Sequence, residues 1–121
     1  PYYKCAPSLS PPNFVTEGLP PLITFLGDQD PPISVQSLLD FHNDLVAKGN
    51  VSELYVAKGG KHGLCNGRNS RNPFFYWSLE LIDQFLRVQG ILEGESMVEW
   101  PTDMPKLQSM DDYLAYVKEG N

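Results

Sequence analysis

Cysteine is scarce in this chain: Cys5 and Cys65 are the two among 121 residues. Two thiols make neither a disulfide framework nor a spaced set of metal ligands. A single Cys5–Cys65 bridge stays open, because pairing depends on geometry and not on sequence order. The cellular compartment stays open with it. Histidine is equally sparse, with His42 and His62 as the only two. Positive charge is thin: nine lysines and arginines against fifteen acids give a formal charge of −6. The basic residues form no stripe, so nothing neutralises a phosphate backbone, which argues against a nucleic-acid partner. No apolar run approaches the ~18 residues that a membrane span needs. The glycines form no Walker or dinucleotide motif, Gly59-Gly60 being too short for either. No initiator Met opens the chain, which fits either a removed leader or a piece of something longer.

What is present has the composition of one globular domain, 41% hydrophobic and 20% charged. A proline-rich stretch over 1–19 reads as loop, since proline removes amide donors and fixes φ. Residues 22–26 are continuously apolar, as in a strand buried on both faces of a parallel sheet. A helix follows from a Ser34 cap, with Val35, Leu38, Leu39, His42, Leu45 and Val46 at helical spacing and Gly49 at its end. A second strand is expected at 53–57, with Leu54 and Val56 on one face. Past the glycine- and asparagine-rich loop 58–71, Asn72 and Pro73 start a second helix. Its stripe is Phe74, Trp77, Leu81, Phe85 and Val88, widened by Ile82 and Leu86, and Gly90 ends it. Phe74 to Trp77 are expected in the core more than in a substrate cleft. Residues 93–121 form a C-terminal extension, with a short helix capped by Ser109. Asp111 and Asp112 stand in its first turn, and Tyr113, Leu114 and Val117 are its apolar members.

Strand, helix, strand, helix predicts an α/β fold with parallel strands and flanking helices. Two strands alone would leave long unpaired edges. The sheet is therefore expected to be incomplete by itself, needing an N-terminal portion or a swapped copy of the chain.

Two motifs lie where the predicted strands run out. One is Gly27-Asp28-Gln29-Asp30-Pro31, the other Gly59-Gly60-Lys61-His62-Gly63. In an open α/β sheet, reactive groups collect in loops beyond the carboxyl ends of strands. If the strands are parallel neighbours, Asp30 and His62 meet as an acid and a base. Singly, each has an ordinary reading: Asp30 as a turn former, His62 as a loop residue. His42 fits helix packing, and His62 with Cys65 lacks the second spaced pair that a zinc site requires.

On these residues the chain resembles the C-terminal portion of α/β-hydrolase esterases and lipases. The segment from Pro20 to Asp30 resembles their acid-bearing strand and loop. Residues 53–56 and 59–63 resemble the strand and histidine loop that follow, and 73–89 the last helix. The similarity spans roughly residues 7–92, closest to the acetyl and carbohydrate-ester esterase branch. It implies Asp30 as triad acid and His62 as triad base, with no cofactor and no metal. Asp28 matches a variable position, a turn residue or a second choice for the acid. Leu26 departs from the pattern, as many members carry His there.

The resemblance also implies a serine in a Gly-x-Ser-x-Gly elbow ahead of the acid and the base. This chain has none. Its nearest match, Gly94-Glu95-Ser96-Met97-Val98, lacks the second glycine and follows a helix. The expected function is the Asp and His share of a serine carboxylester hydrolase. The chain alone is expected to be inactive, with its nucleophile and oxyanion donors elsewhere. Its partners would be a small acyl or carbohydrate ester and the N-terminal portion or a second copy. The alternative is a non-catalytic remnant or assembly module pairing through its sheet edge.

Overall fold

A computed structural model describes residues 14–30, 34–67 and 72–102, and the backbone of a strand at 114–118. Cys5, the Ser109 cap, Asp111, Asp112 and Tyr113 lie outside the described residues. The order is β1 (Leu22–Gly27), α1 (Val35–Ala47), β2 (Ser52–Ala57), α2 (Pro73–Val88) and β3 (Leu114–Lys118). The chain is a small α/β unit with two parallel strands and flanking helices. β1 and β2 run parallel in register from Leu22 opposite Ser52 to Gly27 opposite Ala57. That register brings both strands to their carboxyl ends at the same level.

Each helix starts where local chemistry directs it. The Ser34 hydroxyl accepts the Ser37 amide at 3.2 Å, and the Asn72 side-chain oxygen accepts the Phe74 amide at 3.1 Å. Both satisfy donors that the first helical turn leaves over. Pro73 follows Asn72 at the first position of α2, where its missing N–H costs nothing.

The two faces of β2 serve different helices. Ser52, Leu54 and Val56 are buried on one face, where His42 of α1 bonds Ser52. Tyr55 and Ala57 cluster with Trp77 and Leu81 of α2 on the other. Burying a side chain the size of Leu54 or Val56 contributes about 1.5–3 kcal/mol. Tyr55 stacks on Phe25 and meets Trp77 edge-on, with ring centroids 5.6 and 6.3 Å apart. Phe74 packs against this cluster, as a core residue should.

The end of the proline-rich stretch is tied down. The Asn50 side chain, buried between α1 and β2, donates to the Thr16 carbonyl at 2.7 Å and accepts the Leu19 amide at 2.8 Å. Lys48 donates to the Val15 carbonyl at 2.9 Å.

Three expectations need correction. Residues 114–118 form a strand, not a helix, paired antiparallel to β2 with Val56 opposite Tyr116. An isolated helix of that length is unstable, whereas the open edge of β2 offers a ladder of backbone partners. Val88 is 75% exposed and stands outside the buried stripe of α2. Leu22 to Phe25 are half-buried and only Leu26 and Gly27 of β1 are buried, because β1 is an edge strand among the described residues.

The 93–102 segment folds back on α2. Trp100 donates its indole N–H to Glu80 at 2.6 Å. Arg87 pairs with Asp83 at 2.6 Å and also donates to the carbonyls of Gly94 and Glu95.

Candidate active site

Each parallel strand ends in a four-residue turn. The Asp30 amide returns to the Gly27 carbonyl at 3.2 Å, and the Gly60 amide to the Ala57 carbonyl at 3.1 Å. Gly59, third in the second turn, has φ +71°, a conformation open to glycine at little cost. The turns lie side by side and bond to each other. The Asp28 amide donates to Ala57 at 3.1 Å and the Gln29 amide to Gly60 at 2.9 Å. Where they touch, the Gly27 and Gly60 backbones leave no space for a side chain: a Cβ on Gly60 would sit 2.9 Å from the Gly27 Cα.

This joint brings together the two residues singled out in the sequence. The His62 Nδ1 lies 3.1 Å from one Asp30 carboxylate oxygen and 3.3 Å from the other. The Asp30 side chain is 5% exposed, that of His62 76%. A buried carboxylate thus holds one ring nitrogen of an open imidazole. With Asp30 ionised, Nδ1 carries the proton and donates. Nε2, on the far side of the ring, is left as an acceptor directed away from Asp30. The arrangement can orient an imidazole and stabilise it when it takes a second proton.

The segment after His62 is anchored to α2. The Asn72 side-chain amide donates to the carbonyls of Leu64 at 2.5 Å and Asn66 at 3.2 Å. The same side chain therefore starts a helix and holds the histidine loop. Gly67 lies against the Phe75 ring, which a Cβ would meet at 2.8 Å. Cys65 is half-buried. Burial pushes its thiol above the ordinary range, and a hydrogen bond with the Ser78 side chain offsets part of that shift. It lacks the lowered pKa of an activated nucleophile. Among the described residues no group of three or more His, Cys, Asp or Glu could hold a metal ion, and no helix is long and apolar enough to cross a membrane.

Asp28 does not hold the histidine. Its carboxylate accepts the Gly59 amide across the two turns at 2.8 Å. That role had no signal in the sequence, where Asp28 looked like a turn residue.

No family model matches the chain, and neither does any curated protein. Solved structures do. The chain is similar to esterase 2 from the Planctomycetes species Thermogutta terrifontis in its propionate-bound form, with 32% identity and a TM-score of 0.68. That alignment covers 72% of this chain and 32% of the esterase. The form phosphorylated by paraoxon matches with the same identity and score, over 71% of this chain and 33% of that one. The butyrate-bound form matches likewise, over 72% and 31%. The unit therefore matches part of an esterase fold. It spans about a third of the length of the esterase it matches.

Proposed function

We propose that this chain supplies the acid and base of a serine carboxylester hydrolase. The observation that carries the reading is the Asp30 carboxylate on His62 Nδ1, 3.1 Å away at the ends of adjacent parallel strands. In the complete protein, Nε2 of His62 removes the proton from a serine hydroxyl as it attacks the ester carbonyl. The imidazolium then returns that proton to the leaving alcohol. Asp30 stays ionised, orients the ring and stabilises its positive charge. A water repeats the sequence to free the acid. The serine and the oxyanion donors come from a segment that this chain does not contain.

Similarity to an esterase seen with propionate and with butyrate supports a short acyl group. Its phosphorylation by paraoxon supplies a direct probe. The complete protein, given p-nitrophenyl acetate, should release p-nitrophenolate and should take up a phosphoryl label from paraoxon. His62→Ala should lower kcat by about 10⁶-fold, the scale of losing the histidine of a triad. A complete protein that is inert, or indifferent to His62→Ala, removes the catalytic reading.

A second reading keeps the fold without the chemistry. It is favoured by β1, whose half-buried apolar residues lie on an edge strand among the described residues. Such an edge is a template for another strand. The occupant would be the N-terminal portion of the same hydrolase or a second copy of the chain. Light scattering on the isolated chain separates these two.

A further inference from the structure

Asp28 makes a contact that neither the triad reading nor the fold requires. We infer that Asp28 is a positioning residue for His62, clamping the histidine turn onto the acid turn so that the imidazole reaches Asp30. This rests on the reading of Asp30 and His62 as an acid–base pair and adds the device that sets their distance.

The argument begins with the two turns. Parallel pairing stops at Gly27 and Ala57. Beyond it, His62 is five residues from its strand and its side chain is largely exposed. Little packing of its own therefore holds the ring in place. The position of His62 is inherited from the backbone at Gly59 and Gly60.

Among the described residues, three bonds tie that backbone to the acid turn. Two are main-chain bonds, from the Asp28 amide to Ala57 and from the Gln29 amide to Gly60. The third is the only one made by a side chain: the Asp28 carboxylate accepts the Gly59 amide at 2.8 Å. A charged acceptor makes a stronger bond than a neutral one. Residue 28 thus grips the second turn from both its amide and its carboxylate. Two residues on, the same turn presents Asp30 to His62. The acid and the clamp share one rigid four-residue turn, so the grip on Gly59 sets the height of His62 over Asp30. A displacement of ~1 Å there is enough to cost a catalytic site about a hundredfold.

The test reads the ring itself and needs no turnover. An imidazole free in water favours hydrogen on Nε2, whereas a carboxylate on Nδ1 favours hydrogen there. Long-range proton–nitrogen NMR of the chain distinguishes the two tautomers, with His42 as the one other histidine. In the wild type the Nδ1–H form of His62 should dominate. Asp28→Ala should turn it into the minor form. Asp28→Asn keeps an oxygen acceptor for Gly59 and should restore it. The Gly59 amide should exchange slowly in the wild type and in Asp28→Asn.

Retention of the Nδ1–H form in Asp28→Ala overturns the proposal, as does an Asp28→Asn variant no better than Asp28→Ala. Should Asp28→Ala lose its fold, a rapidly exchanging Gly59 amide in the wild type overturns it instead. Asp30→Asn separates this failure from that of the dyad. If Asp30→Asn leaves the His62 tautomer unchanged, the acid–base pair itself is absent, whatever Asp28 does.

Discussion

Gly27 and Gly60 press backbone to backbone at the point where the two turns meet. A Cβ on Gly27 would overlap the Gly60 carbonyl, and one on Gly60 would also crowd Ala57. Neither neighbour is the far end of a flexible side chain, so the backbone must move to make room. Gly27→Ala should therefore destabilise the fold by about 2–4 kcal/mol, at the upper end of single substitutions. Urea unfolding should show a lower midpoint with an unchanged slope. A midpoint within experimental error of the wild type would mean that the turns separate easily.

The Ser52 hydroxyl and the His42 Nδ1 meet at 2.8 Å between β2 and α1, and both residues are buried. The bond joins a sheet face to its helix where the surroundings are largely apolar. Ser52→Ala removes that bond from a buried ring nitrogen, and should cost about 1–3 kcal/mol. His42→Leu in the same background replaces the ring with an apolar side chain and should recover part of the loss. Urea midpoints of the single and double variants check this coupling.

The helices were legible because their signals are local. Ser34, Asn72 with Pro73, Gly49 and Gly90 mark starts and stops through their own chemistry, and all fall where the periodicity placed them. The meeting of Asp30 and His62 was legible for a different reason. Parallel strands ending at one level must open their loops on the same edge. What stayed hidden was non-local. The Asp28–Gly59 bond and the Gly27–Gly60 contact depend on how two turns stack, which no spacing within either motif encodes. Asn50 shows the same limit, since its two bonds to Thr16 and Leu19 join segments far apart in the chain. At 114–118 local propensity misled, because the edge of β2 decides the outcome there.

Asn72 separates two functions in one side chain. Its oxygen caps α2, while its nitrogen holds the carbonyls of Leu64 and Asn66. Asn72→Asp keeps the cap and removes both donors. The helix should remain, and the amides between Gly63 and Gly67 should exchange faster. Asn72→Ala loses both functions and should cost a further ~1 kcal/mol, the usual value of a cap. If the two variants are equally stable and equally protected, the loop does not depend on this anchor.

Cys65 gives the fold a pH dependence of predictable sign. Burial holds its thiol above the ordinary value, beyond what the Ser78 hydrogen bond restores. The folded state therefore favours the protonated thiol more than the unfolded chain does. That preference contributes fully below the unfolded thiol's pKa of about 8.5. It is lost as pH rises through the higher folded value, because deprotonation then costs more in the native state. In a Cys5→Ser background, where Cys65 is the sole thiol, iodoacetamide at pH 8 should label the native chain more slowly than the chain in urea, since the thiolate is the nucleophile and burial disfavours it. Stability should decline above pH 9, and Cys65→Ala should decline less. Equal labelling of native and unfolded protein would show that the thiol is neither sheltered nor shifted.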